Sequence, residues 1–122
     1  MTTKEVAERL VELNRTNDHQ QAYAELYVDD VVSIENWRDR EEFRGLAAIK
    51  QKGEQWEAGL EELHEVRVGE PIVADKSFAV TFYMDITFKD SPEMPGGRQQ
   101  LTELAVYRVN EEGKIFHEEF FA

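Results

Sequence analysis

The apolar positions in the first quarter of the chain recur at the spacing of α-helices. Thr2 and Glu5 fit a capping box, and three apolar residues follow at helical intervals: Val6, Leu10 and Leu13. Asp18 caps a second stretch, whose apolar side carries four residues: Ala22, Tyr23, Leu26 and Tyr27. The pattern predicts two amphipathic helices, and because neither can bury its stripe alone, both must pack on a larger element.

A short strand and a third helix are predicted next. Residues 31–35 have strand pattern and end on a carboxylate, Glu35. A helix follows over about residues 46–58, with an apolar stripe of five positions: Leu46, Ile49, Gly53, Trp56 and Leu60. We interpret Gly53 on this buried side as a site of close packing, with a contribution to a cavity as the alternative.

From Leu63 onwards the pattern changes to the alternation of β-strands. Strands are predicted over four ranges: residues 63–74, 77–88, 99–109 and 114–122. Pro71 suggests an edge position or a bulge in the first, and residues 89–98 form a loop by their two prolines and two glycines. Three helices, one short strand and then three or four long antiparallel strands predict an α+β fold.

Composition and net charge limit the classes of partner that the protein can bind. The 122 residues suffice for one domain with a proper core, and the net charge of −12 would be repelled by phosphate backbones and anionic lipid. We therefore expect no nucleic-acid and no membrane partner. The chain has no cysteine, which excludes disulfides and thiolate chemistry. No signal peptide or membrane-spanning segment is predicted, so we expect a cytoplasmic protein.

The order of elements resembles the nuclear transport factor two-like superfamily, and within it the SnoaL-like (polyketide cyclase-like) proteins. Three segments carry the resemblance: YVDDVVSIE, RGLAAI and VNEEGKIFHEEFF. The resemblance implies a strongly curved, mainly antiparallel sheet that wraps three helices into a cystatin-like cone. Such cones host isomerases, cyclases, dehydratases and non-enzymes, so the resemblance is specific for the fold and not for one reaction.

The chain is also distantly similar to ketosteroid isomerase, and this likeness implies a role for Glu35. Glu35 falls where that enzyme has its proton-shuttling aspartate. The enzyme's two hydrogen-bond donors are replaced by Val11 and Ala105, although Glu103 lies two residues earlier on the same strand face as Ala105. These departures speak against steroid isomerisation, and what the likeness implies is a cavity with an acid at its wall.

Three carboxylates are predicted as catalytic residues. Glu35 would shuttle a proton if the cavity desolvates it; the alternative is a solvated acid at a strand end. Glu103 lies mid-strand among apolar neighbours, and Asp85 lies similarly on the preceding strand. If those two strands pair through the 89–98 loop, we expect Asp85 and Glu103 to lie close together and separate each other's pKa values. The alternative is a pair of solvent-facing acids.

Five further residues are predicted to contact a ligand: Trp37, Trp56, Tyr107, Glu118 and Phe120. The tryptophans suit an apolar lining and Tyr107 a hydrogen bond to a substrate oxygen, with simple core packing as the alternative. Glu118 should face the pocket if Phe116 and Phe120 do, although Phe121 favours the opposite parity.

The combined hypothesis is a pocket for a small, largely apolar molecule, with cofactor-free acid–base chemistry of the isomerase, cyclase or dehydratase type. The scattered histidines predict no metal site, and no cofactor motif is present. The alternative is a non-catalytic ligand-binding or dimeric assembly module with structural carboxylates. We expect a homodimer through the outer sheet face, which Leu104 and Val106 would cover.

Overall fold

The structure is a computed structural model that describes residues 1–92 and 95–122. Its helices are α1 (Thr3–Arg15), α2 (His19–Leu26) and α3 (Leu46–Ala58). Its strands are β1 (Tyr27–Glu35), β2 (Glu41–Arg44), β3 (Leu60–Val68), β4 (Ile72–Val73), β5 (Ser77–Phe88), β6 (Gly97–Val109) and β7 (Ile115–Phe121). In the described part of the chain, no helix is long and apolar enough to cross a membrane.

The helix starts follow from their capping residues. The Glu5 backbone N–H donates to the Thr2 hydroxyl over 3.1 Å, and the Thr2 N–H donates to the Glu5 carboxylate over 2.9 Å. Asp18 accepts from the Gln21 N–H over 3.3 Å at the start of α2. These bonds satisfy backbone donors that a helix leaves free at its first turn, so the predicted capping is confirmed.

The helices pack on one mainly antiparallel sheet. Its strand order is β2-β1-β7-β6-β5-β3, with β4 paired to β5, and among these pairings β1 with β7 is parallel. Apolar residues of α1 and α2 pack with inward residues of the sheet into one core that includes Val6, Leu10, Leu26, Val80 and Ile115. The arrangement is the predicted α+β fold.

Several strand boundaries differ from the prediction, among them the start of β6, which lies at Gly97 inside the predicted 89–98 loop. β1 begins at Tyr27, directly after α2, rather than at residue 31. β2 was not predicted, since its sequence EEFR shows no apolar alternation. The predicted strand over residues 63–74 is two strands, and Pro71 lies between them because proline cannot donate to a sheet ladder. The predicted 89–98 loop includes residues 93 and 94, which lie outside the described residues.

A β-bulge in β7 decides which of its side chains face inwards. Arg108 pairs with His117 but the next residue of β6 pairs with Ile115, so Phe116 is the extra residue. Ile115 is consequently in the core, while Phe116 lies beneath the Arg108 guanidinium, 5.1 Å from it. The expectation that Phe116 shares a face with Phe120 is therefore wrong.

Candidate functional site

A cavity of about 1120 Å³ lies between the helices and the inner face of the sheet. Of the eight site residues predicted from the sequence, seven line it: Glu35, Trp37, Trp56, Glu103, Tyr107, Glu118 and Phe120. Asp85 is the exception. A lining position does not establish a role, so the functions assigned to these seven residues stay predictions.

Glu35 ends β1 with its side chain buried, and both of its carboxylate oxygens are hydrogen-bonded. The Lys52 ammonium donates to Oε1 over 2.8 Å, and the Trp37 indole N–H donates to Oε2 over 2.7 Å. The residue is only 7% exposed. The alternative of a solvated acid at a strand end is therefore wrong, and Glu35 is one half of a largely buried ion pair.

Lys52 is the main feature that the sequence reasoning missed. It comes from α3, and its ammonium also donates to the Ser33 hydroxyl over 2.9 Å. The rings of Phe43 and Phe120 flank it, with centroids 4.8 and 5.0 Å from Nζ, within the range of cation–π attraction. A signal existed: Lys52 lies three residues after Ile49, which places a lysine on the apolar face of α3.

Glu118 occupies the buried end of the same network. It accepts from the Tyr27 hydroxyl over 2.6 Å and from the Ser33 hydroxyl over 2.9 Å. Burial raises its pKa, although Lys52 and these two hydrogen bonds oppose the shift. A continuous chain of hydrogen bonds thus runs from Tyr27 through Glu118, Ser33 and Lys52 to Glu35.

Glu103 lines the same cavity without a partner. It lies on β6 directly opposite Phe82, and with the residues in the described ranges it makes no hydrogen bond and no ion pair. Burial raises its pKa to about 7, and the negative charges of Glu35 and Glu118 add to the shift. The alternative of an acid on an exposed sheet face is wrong for Glu103, which lines the cavity and has a raised pKa close to neutrality.

Asp85 lies on the opposite side of the sheet, which corrects the prediction that it meets Glu103. It pairs with Gln100, whereas Glu103 pairs with Phe82, so the two acids point to different faces. Arg98 donates to both Asp85 oxygens over 3.0 and 2.8 Å, and these bonds lower the pKa of Asp85. Asp85 is therefore part of an ion pair on the outer face.

The aromatic side chains shape the rest of the wall. Tyr107 is buried and stacks on Phe78 with centroids 4.8 Å apart, and burial raises its pKa, so its hydroxyl stays protonated. Trp56 meets Phe88 edge-to-face at 5.4 Å, while Trp37 is 49% exposed.

Gly53 contributes space to the cavity rather than a close contact. No atom lies within 4 Å of the position that a Cβ on Gly53 would occupy. Its interpretation as a site of close packing is therefore wrong, and the alternative holds: a larger residue would project into the open space.

The groups in the network around Glu35 that could bind a metal ion or a ligand are carboxylates, hydroxyls and the Lys52 ammonium. Within residues 1–92 and 95–122, no group of three or more histidines and acids is arranged to hold a metal ion. What the residues themselves can supply is an unpaired carboxyl group, a partly engaged ammonium and a protonated phenol.

Comparisons with known proteins agree with this fold. The model of the SnoaL-like domain matches residues 1–122, so the chain belongs to the SnoaL-like family. A solved structure from Mesorhizobium loti, named as a candidate SnoaL-like polyketide cyclase and also labelled carbohydrate phosphatase, is 31% identical. The match covers 100% of both chains with a TM-score of 0.86. A search of curated proteins found no significant match.

More distant structures share the fold alone. A Xanthomonas campestris protein of unknown function with a cystatin-like fold is 18% identical, with a TM-score of 0.74 over 99% of this chain and 90% of that one. TerC, crystallised with polyporic acid, is 16% identical, with a TM-score of 0.71 over 98% of this chain and 89% of that one.

Proposed function

We propose that the protein binds a small, largely apolar organic molecule in the cavity and transfers a proton to or from it without a cofactor. The observation that carries this proposal is Glu103, a half-buried carboxyl group that lines the cavity without a partner among the described residues and whose pKa is raised to about 7. Such a group is present in both protonation states near neutral pH, which is what a general acid–base catalyst needs. The reaction class is isomerisation, aldol-type cyclisation or dehydration.

The surrounding residues support Glu103 in this role. The negative charge of Glu35 raises the proton affinity of Glu103, so Glu103 is a stronger base than an ordinary glutamate. Tyr107 lines the same cavity with a protonated hydroxyl that can donate to a ligand oxygen. Asp85 has no part, because it lies on the outer face of the sheet.

The related structures support an organic ligand over a phosphate ester. The Mesorhizobium loti protein is named for polyketide cyclisation, and TerC was crystallised with polyporic acid. The second label of the former, carbohydrate phosphatase, fits this cavity poorly. Among the described residues, six acids line the cavity against four lysine and arginine side chains, and Glu35 already compensates the charge of Lys52, so a phosphate dianion would be repelled.

The three reaction types share a first step, the removal of a proton from a carbon beside a carbonyl group. The proposed function is tested by measuring this step. Exchange of such protons for deuterium is followed by NMR over a panel of aromatic ketones. We expect wild-type protein to accelerate exchange, with a rate that rises through about pH 7, and Glu103→Gln to lose about 100-fold or more. Unchanged exchange in Glu103→Gln would contradict the assignment of the base.

A second candidate function is ligand binding without turnover. It is favoured by Glu35 and Glu118, whose carboxylate oxygens all accept hydrogen bonds and so look structural. The same panel separates the two functions. Binding of ketones, seen as a rise in melting temperature, with no acceleration of exchange by any of them, would favour this second candidate.

We also propose that two copies associate through the outer sheet face. Four apolar side chains project there: Ile72, Leu104, Val106 and Phe121. Arg108 and Glu119 lie on the same face, so a second copy can pair opposite charges despite the net charge of −12. Sedimentation should give a dimer for wild type and a monomer for Leu104→Glu. A wild-type monomer at all concentrations would contradict the proposal.

A further inference from the structure

Lys52 has a hydrogen-bond donor that the protein does not use. A lysine ammonium carries three N–H groups, and here one donates to Glu35 and one to Ser33. No third oxygen acceptor for it occurs in the described part of the chain, since its other neighbours are the rings of Phe43 and Phe120. The side chain is 17% exposed and lines the cavity, so the third N–H is available to a ligand.

The ammonium is held in place by what surrounds it. Two hydrogen bonds and two flanking rings restrict a side chain that is ordinarily flexible, so little further ordering is needed when a ligand binds. Glu103 lines the same cavity and is close enough to Lys52 to interact with it electrostatically. One cavity therefore holds a fixed cationic donor and an unpaired carboxyl group.

We propose that Lys52 binds the carbonyl oxygen of the substrate, and that the substrates are uncharged molecules with a carbonyl group beside an ionisable C–H bond. This inference rests on the proposed function. In the step, Glu103 takes the proton from carbon, and the C–H electron pair forms a carbon–carbon double bond. The carbonyl π pair moves to oxygen, where the Lys52 N–H stabilises the negative charge.

The charge of the cavity is the same before and after this step. Before it, Glu103 carries a negative charge; after it, Glu103 is neutral and the negative charge resides on the ligand oxygen near Lys52. An uncharged substrate fits this balance, whereas a carboxylate ligand would add a charge that the cavity does not compensate. Glu35 positions the ammonium and also weakens its pull on the oxygen, so the two residues have opposite expected effects on an oxyanion.

The test uses 4-nitrophenol, whose phenolate absorbs visible light and whose neutral form does not. The probe is added to the protein about one pH unit below its own pKa, where most of the free probe is neutral. At this pH Glu103 is largely protonated, so the phenolate reproduces the charge of the cavity after proton transfer, and we expect wild-type protein to bind it and develop its absorbance band. Lys52→Met should weaken phenolate binding by about tenfold or more, as expected for loss of a charge-assisted hydrogen bond.

Three further variants make the result specific to Lys52. Lys4→Met removes the same charge from an exposed surface site and should leave the band unchanged. Glu35→Gln should strengthen phenolate binding, because it frees the Lys52 charge. Lys52→Met alone leaves Glu35 without its cation. The double variant Glu35→Gln/Lys52→Met replaces the ion pair by two uncharged side chains, so it should fold but develop no band.

The outcomes distinguish this inference from the proposed function. A band retained in Lys52→Met and in the double variant would overturn the role of Lys52, and Glu103-dependent proton exchange could still stand. A band lost in both variants, with no ketone showing exchange, would leave Lys52 as an oxygen-binding group and overturn catalysis. Failure of wild-type protein to bind the probe in either form would overturn the role of Lys52, and the ketone panel would then decide the proposed function separately.

Discussion

Glu103 and Asp85 are acids on neighbouring strands that differ in the face they occupy and in their partners. Asp85 is 5% exposed on the outer face, and Arg98 donates to both of its oxygens. Glu103 faces the cavity and has no hydrogen-bond or ion-pair partner within the described residues. The pKa of Asp85 is accordingly lowered and that of Glu103 is raised to about 7.

The contrast shows that burial alone does not raise the pKa of a carboxyl group. On the outer face Arg98 is 62% exposed, so its charged end is hydrated while it neutralises Asp85. Inside the cavity the neighbouring cation, Lys52, is already paired with Glu35. Desolvation and the negative charges of Glu35 and Glu118 therefore outweigh the opposing attraction of Lys52, and the pKa of Glu103 rises.

Replacing Glu103 by glutamine should produce the largest change in the pH dependence of stability. The pKa of Glu103 rises from 4.5 to about 7, so between these values the folded state binds more protons than the unfolded state. The stability that the protonated group contributes is present below the unfolded pKa and is lost as pH rises through the folded pKa. By this linkage, the wild-type free energy of unfolding falls by about 3 kcal/mol over this window.

The measurement is urea unfolding at about pH 5, near the lower end of this window, and at about pH 8, above it. Glu103→Gln should remove most of the fall and be more stable than wild type at the higher pH. The matched control is Glu111→Gln, because the Glu111 side chain is 91% exposed and should leave the pH dependence unaltered. An unaltered fall in Glu103→Gln would mean that the pKa of Glu103 is not raised by its place in the cavity.

The helices, the strands and the inward-facing sides of single strands could be predicted from the sequence where they depend on neighbouring residues alone. The capping residues Thr2 and Asp18 mark the starts of two helices, and the third helix has its predicted bounds. Alternation along β6 placed Glu103 and Tyr107 on one face, and both line the cavity. These predictions succeeded because each depends on a periodicity within a single element.

The errors come from relations between elements. The alternation along β5 and along β6 does not show which residues of one strand share a sheet face with which residues of the other, because that register depends on the connecting loop. Here even-numbered residues of β5 meet odd-numbered residues of β6, so Asp85 and Glu103 lie on opposite faces. The bulge at Phe116 reverses the parity of β7 in the same way. Lys52 was missed because a lysine within an amphipathic helix ordinarily reaches water.

Replacing Asp85 by asparagine should give the smaller effect and the opposite pH dependence. The pKa of Asp85 is lowered, chiefly by the Arg98 hydrogen bonds, so its stabilising contribution is present above the unfolded pKa and is lost as pH falls through the folded pKa. Asp85→Asn should lower the melting temperature slightly at neutral pH, since the exposed Arg98 can be hydrated instead, and the difference from wild type should vanish in acid. The rate of proton–deuterium exchange in ketones and the binding of 4-nitrophenol should be unchanged, because Asp85 lies on the opposite face of the sheet from the cavity. If Asp85→Asn instead abolished exchange with its stability intact, the assignment of acid–base chemistry to the cavity face alone would fail.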